Sequence, residues 1–124
     1  MEELSTLERA RELQDRTKKF AVRIIRAFTK LPKTDEARVL GRQFLRSGTS
    51  VASNYRAACR SRSRADFIYK ISIVAEEADE TLFWLELIVE AEVVSLGKLE
   101  SLMKESEELL RIFSASLASA KKNR

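Results

Sequence analysis

Seven arginines and no carboxylate lie between Glu36 and Asp66: Arg38, Arg42, Arg46, Arg56, Arg60, Arg62 and Arg64. A guanidinium carries a planar fork of donors that matches two oxygens of a phosphate, and it stays charged at physiological pH. A run of them with no acid between is suited to gripping the backbone of RNA or DNA by charge and bidentate hydrogen bonds, without reading base sequence. Two other uses of the same residues stay open: a solvated face, or pairing with carboxylates of a neighbouring helix or subunit.

The remaining candidates for chemistry are weaker. The run Glu76-Glu77-Ala78-Asp79-Glu80, with Glu86 and Glu90, could ligate a divalent metal. Di-iron bundles, however, combine carboxylates with a Glu-x-x-His motif, and the chain has no histidine. An acidic solvated or intersubunit face is the expectation, with no metal and no cofactor. Ser47-Gly48-Thr49-Ser50 lacks the lysine of a phosphate-binding loop. Cys59, the single cysteine, sits beside arginines that could lower its pKa, but no base can be paired with it. Asn54 fits either a phosphate contact or a helix-surface hydrogen bond. Without histidine, the commonest general base is missing, and no enzyme activity is expected.

These residues need elements to hold them. Three glycines and one proline in 124 residues, with 44% apolar and 34% charged residues, describe long helices with few breaks. Leu13, Thr17, Phe20, Ile24, Phe28 and Leu31 recur at three- and four-residue steps, predicting a helix over about 5–31 that Pro32 ends. Thr34 caps a second helix over 35–58, with Asp35 and Glu36 in its first turn. Ser63 followed by Asp66 resembles a capping box and opens a third helix over 64–92. Ser95 caps a fourth over 96–120, carrying Leu99, Leu102, Ser106, Leu109, Phe113, Leu117 and Ala120 at core spacing before it frays into Lys121–Arg124. Four matched helices with short connections predict one all-α domain over 1–124, an antiparallel up-down-up-down four-helix bundle.

On the second helix, at 100° per residue, Arg38, Arg42, Arg46, Arg56 and Arg60 share an arc of roughly 80° with Thr49 and Ser53. Leu40, Phe44, Val51, Tyr55 and Ala58 lie opposite, so the ridge points outward. Gly41 and Gly48, seven apart, predict close helix packing. The third helix has two apolar faces. Phe67, Ile71, Val74, Ala78, Leu82, Leu85 and Val89 form the expected core stripe. Tyr69, Ile73, Phe83, Trp84, Leu87 and Ala91 form a second, with Glu76 and Glu80 within it. A peripheral helix needs only one such stripe, so the second predicts a surface for another copy. The alternative is that its aromatics pack on helix ends of the same subunit.

Charge is unevenly placed: +9 over residues 1–65, −9 over 66–110 and +4 over 111–124, for a total of +4. That asymmetry fits an anionic partner for the basic part, or head-to-tail pairing in which Glu76 and Glu80 meet a neighbour's arginines. One cysteine fits a reducing compartment. No apolar run approaches the roughly 20 residues of a membrane span, and Glu2-Glu3 is unlike a signal-peptide start. The cytoplasm is the expected location.

The stretch Phe20 to Pro32, the segment Ser50-Val51-Ala52-Ser53-Asn54, the Ser/Arg turn with Asp66-Phe67, and Glu76 through Glu86 together resemble a bacterial family of four-helix bundles. That family was first known from proteins encoded in intervening sequences of the large-subunit ribosomal RNA gene. The resemblance spans about Thr17 to Leu117. It implies a homopentameric ring and no enzyme activity. A structurally similar protein is the accessory factor of diversity-generating retroelements, which binds nucleic acid and a reverse transcriptase. Many relatives follow the counterpart of Asn54 with Ala-Glu-Gly; here Tyr55-Arg56-Ala57-Ala58 removes an acid and a glycine and adds an arginine. The combined expectation is a non-catalytic, oligomeric nucleic-acid-binding module. The alternative is a protein-interaction scaffold or reverse-transcriptase accessory whose basic face binds protein.

Overall fold

The structure, a computed structural model, describes residues 2–123, with side chains from residue 6 onward. Four helices follow in order: α1 (Glu2–Thr29), α2 (Asp35–Cys59), α3 (Arg64–Glu90) and α4 (Leu96–Lys122). Each packs on the next in sequence, and α1 meets α4 more sparsely to close the bundle. The result is the antiparallel up-down-up-down four-helix bundle that matched helix lengths demand, about 40 Å long at 1.5 Å per residue.

Local chemistry sets most of the ends. The Thr34 side chain accepts from the Ala37 amide at 3.3 Å, and that of Ser63 accepts from the Asp66 amide at 3.1 Å. Each satisfies an amide that the helix itself cannot. Ser95 precedes α4 as expected, but its side chain makes no capping bond. The third helix stops two residues early because Glu92 takes a left-handed φ of 60°, while the amides of Glu92 and Val93 turn back to the carbonyls of Val89 and Ile88. That is a Schellman closure with glutamate where glycine is usual. The fourth helix continues through Lys122 instead of fraying from Lys121; Arg124 lies outside the described residues.

Phe20, Ile24, Phe44, Val51, Ile71, Val74, Leu85, Leu109 and Phe113 are almost fully buried and form one core. Each such side chain contributes roughly 1.5–3 kcal/mol by leaving water. The two glycines of α2 allow α1 and α2 to approach. A Cβ on Gly41 would stand 2.7 Å from Leu31 Cδ1, and one on Gly48 would stand 2.7 Å from Ile24 Cγ1. Each helix also buries one small hydroxyl residue: Thr17, Ser47, Thr81 and Ser106. The first three donate to a carbonyl of their own helix, whereas Ser106 Oγ has no partner among the described residues.

The third helix corrects one expectation. Ile71, Val74, Ala78 and Leu85 are buried as predicted, but Ile68, Thr81 and Ile88 join them, while Phe67, Leu82 and Val89 are only partly buried. Apolar residues surround this helix, so the sequence fixes no phase for the buried stripe; its two neighbours α2 and α4 decide it. Among the described residues no helix is long and apolar enough to cross a membrane.

Candidate nucleic-acid interface

All seven predicted arginines are solvent-exposed. Arg38, Arg42, Arg46 and Arg56 ride on α2, Arg60 is its C-cap, Arg62 lies in the turn, and Arg64 opens α3. The opposite side of α2 is anchored by the buried Phe44, Val51, Tyr55 and Ala58, with Leu40 partly buried, so the ridge faces outward by necessity. Arg42 and Arg56, fourteen residues apart, are separated by about 21 Å along the axis.

The ridge is not uniform. Arg46 reaches across to α3, where its two terminal nitrogens bond Glu77 at 3.1 Å and Glu80. The Glu80 hydrogen bond raises the guanidinium pKa further, and the same bond holds Glu80 below its usual carboxylate value. Arg38 bonds only the fully solvated Asp35, at 3.3 Å, a contact of little energetic weight. Arg42, Arg56, Arg60, Arg62 and Arg64 have no ion pair among the described residues. The hydroxyls expected to assist are committed to their own helix: Thr49 donates to the Leu45 carbonyl at 2.8 Å and Ser53 to that of Ser50 at 3.4 Å. Asn54 Nδ2 likewise donates to the Ser50 carbonyl at 2.9 Å, which resolves it as a helix-surface hydrogen bond.

Where α2 meets α1, Arg56 and Arg60 share a shallow groove with Lys18, Gln14, Asp15 and Ser53. Asp15 is engaged by Lys19 at 3.1 Å, so Lys18 adds a cation to the ridge. Sequence reasoning missed Lys18 because it belongs to α1, and only antiparallel packing brings it beside the C-terminal half of α2. Cys59 is exposed, yet burial of its thiol raises its pKa, and the bonds to Tyr55 and Gln14 only partly oppose this. The expected lowering by neighbouring arginines does not occur, because those side chains point into solvent. Among the described residues no group of three or more potential ligands could hold a metal ion.

The second face of α3 is also divided. Tyr69 and Phe83 are 64% and 52% exposed, with Glu76 exposed between them at seven-residue spacing. Ile73 and Leu87 are partly covered. Trp84 packs against the core of its own subunit, its indole N–H donates to Glu80 at 3.2 Å, and its ring meets Phe83 edge-on at 5.0 Å. Glu80 and Trp84 are thus occupied within the subunit, because the α2–α3 packing brings Arg46 within reach. Exposed Val22 and Ile25 on α1 and Val39 on α2 were not foreseen; they fall outside the periodic core stripes.

A family model described as 23S rRNA-intervening sequence protein matches residues 9–115. Among solved structures, the chain is similar to a protein with unknown function from the S23 ribosomal protein family of Bacteroides thetaiotaomicron VPI-5482. The two share 38% identity and a TM-score of 0.78, over 84% of this chain and 96% of that one. No curated protein matches the chain.

Proposed function

This chain belongs to the 23S rRNA-intervening sequence protein family, and on that premise we propose that it is a non-catalytic, self-associating module that holds RNA or DNA by the phosphate backbone. The supporting observation is that five exposed arginines, Arg42, Arg56, Arg60, Arg62 and Arg64, lie on or beside one helix with no carboxylate partner among the described residues. Lys18 extends them onto α1. Backbone phosphates are the anions this array suits: it is long, charged and bidentate.

Self-association is proposed through the exposed line Tyr69, Glu76 and Phe83 on α3, with Ile73 and Leu87 at its margin. Two large aromatics on an otherwise acidic face are costly to leave in water and provide anchors for a second copy. A pentameric count follows the family resemblance. A reverse transcriptase or other protein is the alternative occupant of the basic face.

The test is nucleic-acid binding across a salt series. Wild type should show a log–log salt slope of about 0.9 per duplex phosphate neutralised. Arg42→Glu/Arg56→Glu/Arg60→Glu should flatten that slope and abolish binding near physiological salt, with the oligomeric state unchanged by light scattering. Arg46→Ala should alter binding little, because Arg46 is already neutralised by Glu77 and Glu80. Equal binding by wild type and the triple variant would overturn the proposal. A protein partner captured in the presence of nuclease would instead favour the alternative.

A further inference from the structure

The seam between α1 and α4 opens, where α1 approaches Pro32 and α4 begins, into a half-enclosed cavity of about 670 Å³. That lies within the range of small-molecule sites. Its floor is aliphatic, with Leu31, Leu99 and Leu102 from the core and Val93 and Val94 from the α3–α4 connection. Its rim carries Arg23 and Arg26 from α1, Lys30 from the turn just past its end and Lys98 from the first turn of α4, and no carboxylate lines it. Arg23 donates to Ser101 Oγ at 2.9 Å; Arg26, Lys30 and Lys98 are exposed and have no ion pair among the described residues.

Four cations around one concavity repel one another unless an anion sits among them. The start of α4 adds to the imbalance. The first turns of α2 and α3 contain Asp35, Glu36 and Asp66, which answer the positive ends of those helices, whereas α4 has no acid there and a lysine instead. Two guanidiniums and two ammoniums suit several phosphate oxygens, and the aliphatic floor suits a flat, weakly polar ring.

We propose that this cavity binds a nucleotide carrying more than one phosphate, with the phosphates held by Arg23, Arg26, Lys30 and Lys98 and the base against the aliphatic floor. A free nucleoside triphosphate and the 5′-triphosphate end of an RNA strand share this chemistry. None of the α2 arginines takes part, so this site and the backbone-binding ridge succeed or fail separately.

Calorimetric titration of the full chain tests it, using ATP, inorganic triphosphate, and one RNA oligomer with either a 5′-triphosphate or a 5′-hydroxyl. ATP or the triphosphate oligomer should bind saturably. Arg26→Gln/Lys98→Gln should weaken that binding by about tenfold or more, as expected for lost charge-assisted bonds. Its thermal melt should match wild type, since neither residue is paired; should the double variant melt early, Lys98→Gln alone must still weaken binding severalfold. Arg42→Gln/Arg56→Gln should leave ATP affinity unchanged. Inorganic triphosphate should bind more weakly than ATP, because it leaves the floor unused. A triphosphate oligomer binding more tightly than both ATP and the hydroxyl oligomer assigns the site to a strand end, and otherwise ATP assigns it to free nucleotide. The proposal is overturned if neither ATP nor the triphosphate oligomer binds saturably, if the cavity variants bind like wild type, or if inorganic triphosphate matches ATP.

Discussion

The seam between α2 and α3 and the seam between α1 and α4 are both crossed by an arginine that reaches two glutamates, yet the two arginines do different work. Between α2 and α3 a short turn holds the helices together, and Phe44, Val51, Ile71 and Val74 contribute to the core beneath. Arg46 is a clip over a seam that is already shut. Between α1 and α4 no connection exists, the helices touch sparsely, and Arg16 spans to Glu105 at 2.7 Å and Glu108 at 3.0 Å. Further along the same seam, Arg23 reaches Ser101 and the cavity opens. Seams joined by a short loop close at little entropic cost, so apolar packing can fill them; the closing seam of a bundle joins the first and last helices, and side chains must bridge it.

The largest expected effect tests how full a loop-joined seam is. Gly48→Val places a Cβ within 2.9 Å of three atoms of the fully buried Ile24. It should cost about 2–3 kcal/mol in urea unfolding. Ala27→Val, on the cavity side of the α1–α4 seam, adds less volume in roomier surroundings and should cost under about 1 kcal/mol. Equal losses would erase the distinction between the seams.

Removing the bridges sharpens the comparison further. Arg16→Ala should cost about 1 kcal/mol, the upper end for a part-exposed pair, and Arg46→Ala less, because apolar contacts still hold α2 to α3. Hydrogen exchange should rise along α1 and α4 in the first variant and remain local in the second. A larger loss for Arg46→Ala would reverse the assignment of roles.

The smallest effect is a pH dependence carried by two carboxylates of α3, Glu80 and Asp66. Arg46 holds Glu80 below the ordinary carboxylate value of about 4.3, and Lys70 does the same for Asp66. A depressed folded pKa contributes stability that is complete above the unfolded value and is lost as pH falls through the folded one. Melting temperature should therefore fall between about pH 5 and pH 3, and Arg46→Ala should reduce the part of that fall due to Glu80. An identical acid profile in wild type and Arg46→Ala would remove the bridge from the account.

Much of the bundle was legible in the sequence because its determinants are local. The stripe of Thr17, Phe20, Ile24 and Leu31, the caps at Thr34 and Ser63, and the stop at Pro32 depend on neighbours within a turn or two, and the helices form within about three residues of where those signals place them, the first spanning Glu2–Thr29 where 5–31 was expected. The arginine ridge was legible for the same reason, since the apolar side of one helix dictates which side is wet. Three things were decided only by tertiary structure. The buried phase of α3 was open because the helix is apolar on more than one side, and α2 and α4 selected Ile68, Thr81 and Ile88 for the core. The partner of Arg46 was open because charge along a chain does not specify distance in space; packing placed Glu77 and Glu80 beside it. The cavity of Arg23, Arg26, Lys30 and Lys98 was invisible because residues 23–32 and 93–102 face one another only when the bundle closes. Periodicity and capping are short-range and can be read from the sequence, whereas ion pairing and cavities arise between helices and exist only once those helices are packed.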